Sequence, residues 1–137
     1  MTAPTELLHK LQVKAGAKLW LINVPRPLAE ELSAGAEVEI VHEKDAYDGV
    51  LAFFASSEEV SALAGRILEY LPEDGLLWVA FRKGAPGRAA GLTRDIGWQP
   101  FIDAGWRNVR AISIDDEWSG LRFRPRHLVE SSGSRLA

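Results

Sequence analysis

Apolar blocks recur along the chain between breaks marked by glycine, proline or charge, and their periods differ. Residues 18–24 are apolar almost throughout (Leu19, Trp20, Leu21, Ile22, Val24), as in a strand buried on both faces. Pro25 and Pro27 stop it, and a short helix is expected over 28–32, with Pro27 in its first turn, where a missing N–H costs little. Gly35 ends that helix. Residues 37–41 alternate polar and apolar, the pattern of a half-buried strand nearer a sheet edge. After the charged turn 42–45, residues 47–55 form another apolar strand. A helix is plainest after Ser56, where Val60, Leu63, Ala64, Ile67, Leu68 and Leu71 make one stripe. Ser56 and Glu59 form a capping box at its start. Residues 76–81 are a short apolar strand, and 82–91 a loop with glycines, a proline and basic residues. Thr93 is expected to cap a helix reaching about Ala104, closed by Gly105. Strands at 108–114 and 121–124 follow, joined by a hairpin over 115–120. Residues 5–12 suggest a further short helix, with Thr5 as its cap.

This order predicts a three-layer α/β domain over 1–129: a Rossmann-like doubly wound sheet of about six strands, mostly parallel, with an antiparallel C-terminal hairpin. A tail over 130–137 is expected to be disordered. Right-handed crossovers place the strand at 18–24 beside the one at 47–55, with the chain order reversing between them. A ligand is then expected at the carboxyl ends of those two strands, among the 24–27 turn, the 42–46 turn, Ser56 and the 82–93 loop.

Composition narrows the chemistry. The net charge of -3 argues against general nucleic-acid binding, although not against a local basic patch. Without cysteine, thiol nucleophiles, disulfides and Cys-ligated metals are excluded. No apolar run approaches a membrane span, and the N-terminus lacks the blocks of a signal peptide, so a cytoplasmic protein is expected. His9, His42 and His127 fall in unrelated places, and there is no nucleophile elbow or Walker loop. No catalytic residue and no metal site is assigned.

Several stretches resemble a reduced class I S-adenosylmethionine-dependent methyltransferase fold. They are Lys14-Ala-Gly-Ala-Lys before the first strand, Tyr47-Asp-Gly-Val-Leu as that fold's fourth strand, Leu71-Pro-Glu-Asp-Gly-Leu-Leu-Trp-Val as its helix-to-fifth-strand turn, and the closing hairpin. More narrowly, Asp74-Gly-Leu-Leu-Trp-Val-Ala, Leu92-Thr-Arg-Asp and Asp116-Glu-Trp-Ser-Gly-Leu-Arg-Phe look like an uncharacterised family of small bacterial proteins, which implies a fold and no chemistry. Two departures stand out: one strand-and-helix unit between 42 and 47 is missing, and so is the glycine motif after the first strand. S-adenosylmethionine is the cofactor this resemblance implies, and the residues themselves require none.

Pro25 and Pro27 remove backbone donors where a cofactor loop would offer them. Asn23 and Arg26 are left as side chains able to hold a ligand there, with Ser56 close by. Glu43 stands where methyltransferases of this fold place an acid against the ribose hydroxyls. A separate anion site is expected from Lys83, Arg88, Thr93 and Arg94, where basic charge and a helix N-terminus would add. Asp115, Asp116 and Glu117 read as a solvated tip. Trp20 and Trp78 are expected in the core. For Trp98, Trp106 and Trp118, core packing is weighed against a pocket or subunit contact. The favoured reading is a non-catalytic binding or interaction protein on a degenerate methyltransferase-like scaffold. Its partner would be a small anionic molecule or a protein, and a homo-oligomer is compatible. The other reading is an S-adenosylmethionine-dependent methyltransferase with a non-standard cofactor loop.

Overall fold

A computed structural model describes residues 18–34, 39–41, 47–69, 71–72 and 75–128. The proposed N-terminal helix, the 42–46 turn with Glu43, and the C-terminal tail lie outside them. The elements in chain order are β1 (Lys18–Ile22), α1 (Arg26–Ala34), β2 (Glu39–Val41), β3 (Gly49–Phe53), α2 (Ser57–Glu69), β4 (Leu76–Arg82), α3 (Gly84–Ala89), α4 (Gln99–Asp103), β5 (Trp106–Ser113) and β6 (Trp118–Pro125). They build one sheet in the order β2-β1-β3-β4-β6-β5. The first four strands run parallel; β6 is antiparallel to both β4 and β5.

β1 pairs with β3 in parallel, Leu19 opposite Gly49 through Ile22 opposite Ala52. Sequence order reverses between these two strands, because the chain winds outward to β2 on one side and to β4 on the other. Two apolar clusters fill the two faces of the sheet. One joins Trp20, Ile22, Val50, Ala52, Leu77 and Val79 to the α2 stripe. The other joins Leu51, Phe53, Trp78 and Ala80 to Ile114 and Trp118, with Leu28 of α1 against it. Strands buried on both faces must be apolar at successive positions, and β3 and β4 are.

All five tryptophans are buried. Trp98, Trp106 and Trp118 therefore pack in the interior, and Trp98 and Trp106 each also form part of the wall of a surface pocket. Trp98 is ringed by Phe54, Phe81 and Phe123, with centroids 5.6–6.0 Å away.

Two expected elements are corrected. Residues 82–91 are not all loop, since α3 lies inside them. The single helix expected from Thr93 to Ala104 is instead a turn followed by the five-residue α4. Thr93 closes that turn: its N–H donates to the Ile96 carbonyl, and its hydroxyl accepts from the N–H groups of Asp95 and Ile96. The indole N–H of Trp98 donates to the Thr93 carbonyl at 2.7 Å and fixes it. Gly97, at φ 102, occupies a conformation that would interrupt any helix there. Among the described residues no helix is long and apolar enough to cross a membrane.

Candidate functional site

The site that this topology predicts lies at the carboxyl ends of β1 and β3. β1 ends at Ile22, and the next residue, Asn23, has φ 54. It is the one non-glycine residue of positive φ among those described. Asparagine tolerates this left-handed conformation better than most residues, because its short polar side chain bonds locally. The chain thus makes, without glycine, the left-handed step that a glycine loop would make at this point. Asn23 is exposed. α1 then starts at Arg26, with the Ala29 N–H donating to the Pro25 carbonyl at 2.9 Å.

The other candidates of this group are occupied or elsewhere. Arg26 turns along its own helix to Glu30, Nε to Oε1 3.2 Å, with the two side chains 90% and 68% exposed. A pair so exposed contributes little. Ser56 caps α2: its hydroxyl accepts from the Glu59 N–H at 3.3 Å, and the Glu59 carboxylate accepts from the Ala55 N–H at 2.5 Å. The capping box therefore forms, reaching one residue further back than expected. The Ser57 N–H donates to the Ala90 carbonyl at 3.1 Å, so the segment after α3 covers part of the α2 N-terminus. Ser56→Ala is expected to cost about 1 kcal/mol of stability in chemical denaturation and to leave ligand affinity unchanged; a loss of affinity at unchanged stability would make Ser56 a contact residue.

The basic group is spread over the structure. Lys83 donates from Nζ to Ser113 Oγ at 2.5 Å, and its N–H to the Glu117 carbonyl at 2.8 Å. Arg82 pairs with Glu117 at 3.2 Å and lies over the Trp118 ring at 4.9 Å. These contacts tie the end of β4 to the turn between β5 and β6. Arg88 is exposed on α3, and the Arg94 carbonyl accepts from Asn108 Nδ2 at 3.1 Å. Ser113 and Asn108 are five residues apart on β5, roughly 16 Å along the strand, so Lys83 and Arg94 are anchored far from each other. With Thr93 in a turn and α4 only five residues long, the helix dipole expected to assist them is missing.

Asp115, Asp116 and Glu117 are exposed at the turn, where Asp115 Oδ1 accepts from the N–H groups of Glu117 and Trp118. No group of three or more metal-ligating side chains occurs among the described residues. Two features escaped the sequence reading: the left-handed backbone of Asn23, and a pocket between residues 95–99 and Asn108 of β5. Asparagine directly after a strand was the signal for the first, and Ile96 between Asp95 and Gly97 for the second.

No family model matches the chain, and no curated protein matches its sequence. Solved structures match in shape. A SAM-dependent methyltransferase from Aquifex aeolicus has a TM-score of 0.53 at 14% identity, over 88% of each chain. The N-methyltransferase NodS from Bradyrhizobium japonicum WM9, in complex with S-adenosyl-L-homocysteine, has a TM-score of 0.51 at 12% identity, over 89% of this chain and 85% of that one. Fibrillarin from Aeropyrum pernix, with natively bound S-adenosyl-L-methionine, has a TM-score of 0.50 at 10% identity, over 80% of this chain and 67% of that one. At such identities the likeness is one of fold, and the fold is Rossmann-like and methyltransferase-like.

Proposed function

We propose that the chain binds an S-adenosyl cofactor at the carboxyl end of β1, through a loop built without glycine. The observation that carries this reading is Asn23 at φ 54. A left-handed residue directly after the central strand, where sequence order reverses, costs backbone strain, and such strain is retained where a site needs the shape. Pro25 and Pro27 withhold two backbone donors from the turn, so side chains must supply the contacts. Asn23 supplies side-chain hydrogen bonding, and Glu43 is the proposed partner of the ribose hydroxyls. S-adenosylmethionine would supply an electrophilic methyl group on a sulfonium. No residue of this chain is assigned the transfer itself.

A second reading, a non-catalytic binding protein on the same scaffold, is favoured by the engagement of the other side chains. Arg26 lies along α1 and Ser56 caps α2.

Calorimetry with S-adenosylmethionine and S-adenosylhomocysteine tests the first reading. Binding is expected with Kd below about 100 μM, equivalent to roughly -5.5 kcal/mol, and is expected to weaken in Glu43→Ala. Asn23→Gly is expected to keep both fold and binding. Asn23→Val, which places a β-branched residue at positive φ, is expected to cost about 1–2 kcal/mol of stability and to abolish binding. Absence of heat with either ligand, from a chain shown to be folded, would leave the non-catalytic reading.

A further inference from the structure

We propose that the pocket between residues 95–99 and β5 binds a small primary amine, a single ammonium on a compact apolar body. The pocket measures about 310 Å³, at the lower end of the range for small-molecule sites. Ile96, Trp98 and Ile102 form its apolar wall, and Asp95, Gln99 and Asn108 supply polar groups. Ile96 is 62% exposed, and only it and Val109 are exposed among the large apolar residues described. A ligand seated here removes that surface from water.

Backbone contacts hold the shape of the pocket. The Thr93 N–H closes the 93–96 turn by donating to the Ile96 carbonyl at 3.0 Å. Gly97, at φ 102, then turns the chain, and a Cβ there would collide with the Gly91 carbonyl and the Leu92 side chain. Ile96 is therefore kept at the surface by closely packed backbone. From the other side, Asn108 Nδ2 donates to the Arg94 carbonyl at 3.1 Å and ties β5 to this segment. Asn108 lies in the first half of β5, which runs in the same direction as β4 because β6 is antiparallel to both. The pocket thus sits at the outer strand of the sheet, away from the carboxyl ends of β1 and β3. It stands whether or not a cofactor binds at Asn23.

The side-chain donors of this wall are engaged. The Trp98 indole N–H donates to the Thr93 carbonyl, Gln99 Nε2 to Asp103 Oδ1 at 2.6 Å, and Asn108 Nδ2 to the Arg94 carbonyl. The N–H groups of Asp95 and Ile96 donate to the Thr93 hydroxyl. A carbonyl and a carboxylate can only accept, so both amides are fixed with nitrogen toward the protein partner, and their oxygens are left as acceptors. The Asp95 carboxylate has no ion pair among the described residues. The wall therefore offers amide oxygens and one negative charge. An ammonium carries three N–H donors and no acceptor, and it matches that set. A carboxylate or phosphate meets like charge here. A neutral alcohol keeps the apolar contact and loses the charge-assisted bond to Asp95.

Titration of the isotopically labelled full chain with phenethylamine, followed by proton–nitrogen correlation NMR, tests this against two ligands of similar shape, neutral phenethyl alcohol and anionic hydrocinnamate. Shifts are expected at the Trp98 indole N–H and at the amides of Asp95 to Gln99 and Asn108. Kd should lie below about 1 mM for the amine, with the alcohol at least about tenfold weaker and hydrocinnamate without effect on these signals. Asp95→Asn should weaken the amine at least about tenfold, and Ile96→Ala about threefold. Both residues are exposed, and the spectrum itself reports whether each variant is folded. Asp116→Asn, in the turn between β5 and β6, should leave Kd unchanged. Equal affinity of the unaltered chain for the alcohol or for hydrocinnamate would overturn the proposal, and that comparison needs no variant. So would the absence of shifts at about 10 mM amine, or shifts that Asp95→Asn leaves in place.

Discussion

Replacing Trp98 by alanine is expected to cost about 3–5 kcal/mol of unfolding free energy, the range for an aromatic removed from a packed core. The indole is 2% exposed and packs against Phe54 of the β3–α2 connection, Phe81 of β4 and Phe123 of β6. It thereby joins the parallel half of the sheet to the antiparallel half. Deletion leaves a cavity between elements that cannot all close on it, and forfeits aromatic pairings of about 0.5–1.5 kcal/mol each beyond their area. The indole N–H also donates to the Thr93 carbonyl at 2.7 Å. Trp98→Phe separates the two contributions. It keeps a ring in the site and strands the carbonyl, at a cost of about 1–3 kcal/mol. Chemical denaturation followed by circular dichroism reads both. If alanine costs less than phenylalanine does, the ring cluster is not what holds the two halves together.

The same residue shows what could be read from the sequence. Tryptophan in a segment without clear period can be core, pocket or contact, and the three aromatic partners that decide it come from distant parts of the chain. β1, β3 and β4 were legible because burial on both faces demands an unbroken apolar run. α2 was legible because its stripe and its Ser56–Glu59 cap agree on one start. The segment after β4 was not. Glycine and proline in 84–87 signal a loop, yet α3 forms there because contacts with β4 override propensity. At 93–104 a cap at Thr93 and a closing Gly105 suggested one helix, but the Thr93 hydroxyl satisfies the Asp95 and Ile96 N–H groups, and Gly97 turns the chain away. At the candidate site the prolines were visible and the left-handed Asn23 was not, because asparagine after a strand has several allowed conformations. The pocket beside β5 depends on the 93–96 turn, which stands where one helix was expected.

Gly87→Ala is expected to be comparably severe, with a loss of about 3 kcal/mol or more. A Cβ at residue 87 would lie 2.0 Å from the Arg82 carbonyl oxygen and 2.9 Å from that of Leu92. Both are backbone atoms, and neither can yield as the end of a flexible side chain would. The Arg82 carbonyl closes β4, and Gly87 accepts from the N–H groups of Leu92 and Ala90 at 2.9 and 3.1 Å. To admit a methyl group α3 must lift from β4, and the Ala90 carbonyl must then move from the Ser57 N–H at the start of α2. The damage therefore passes from a six-residue helix to the best-formed helix of the fold. Gly84→Ala is the control: Gly84 has φ 65 with open space around its Cβ position, so the cost there is backbone strain of about 1–2 kcal/mol and no clash. A larger loss at residue 87 than at 84, with weakened amide protection in the first turn of α2, identifies close approach as the cause. Equal losses at the two positions would mean that α3 moves aside freely. The 82–93 segment would then be docked by its ends, at Lys83 and Thr93, and not along its length.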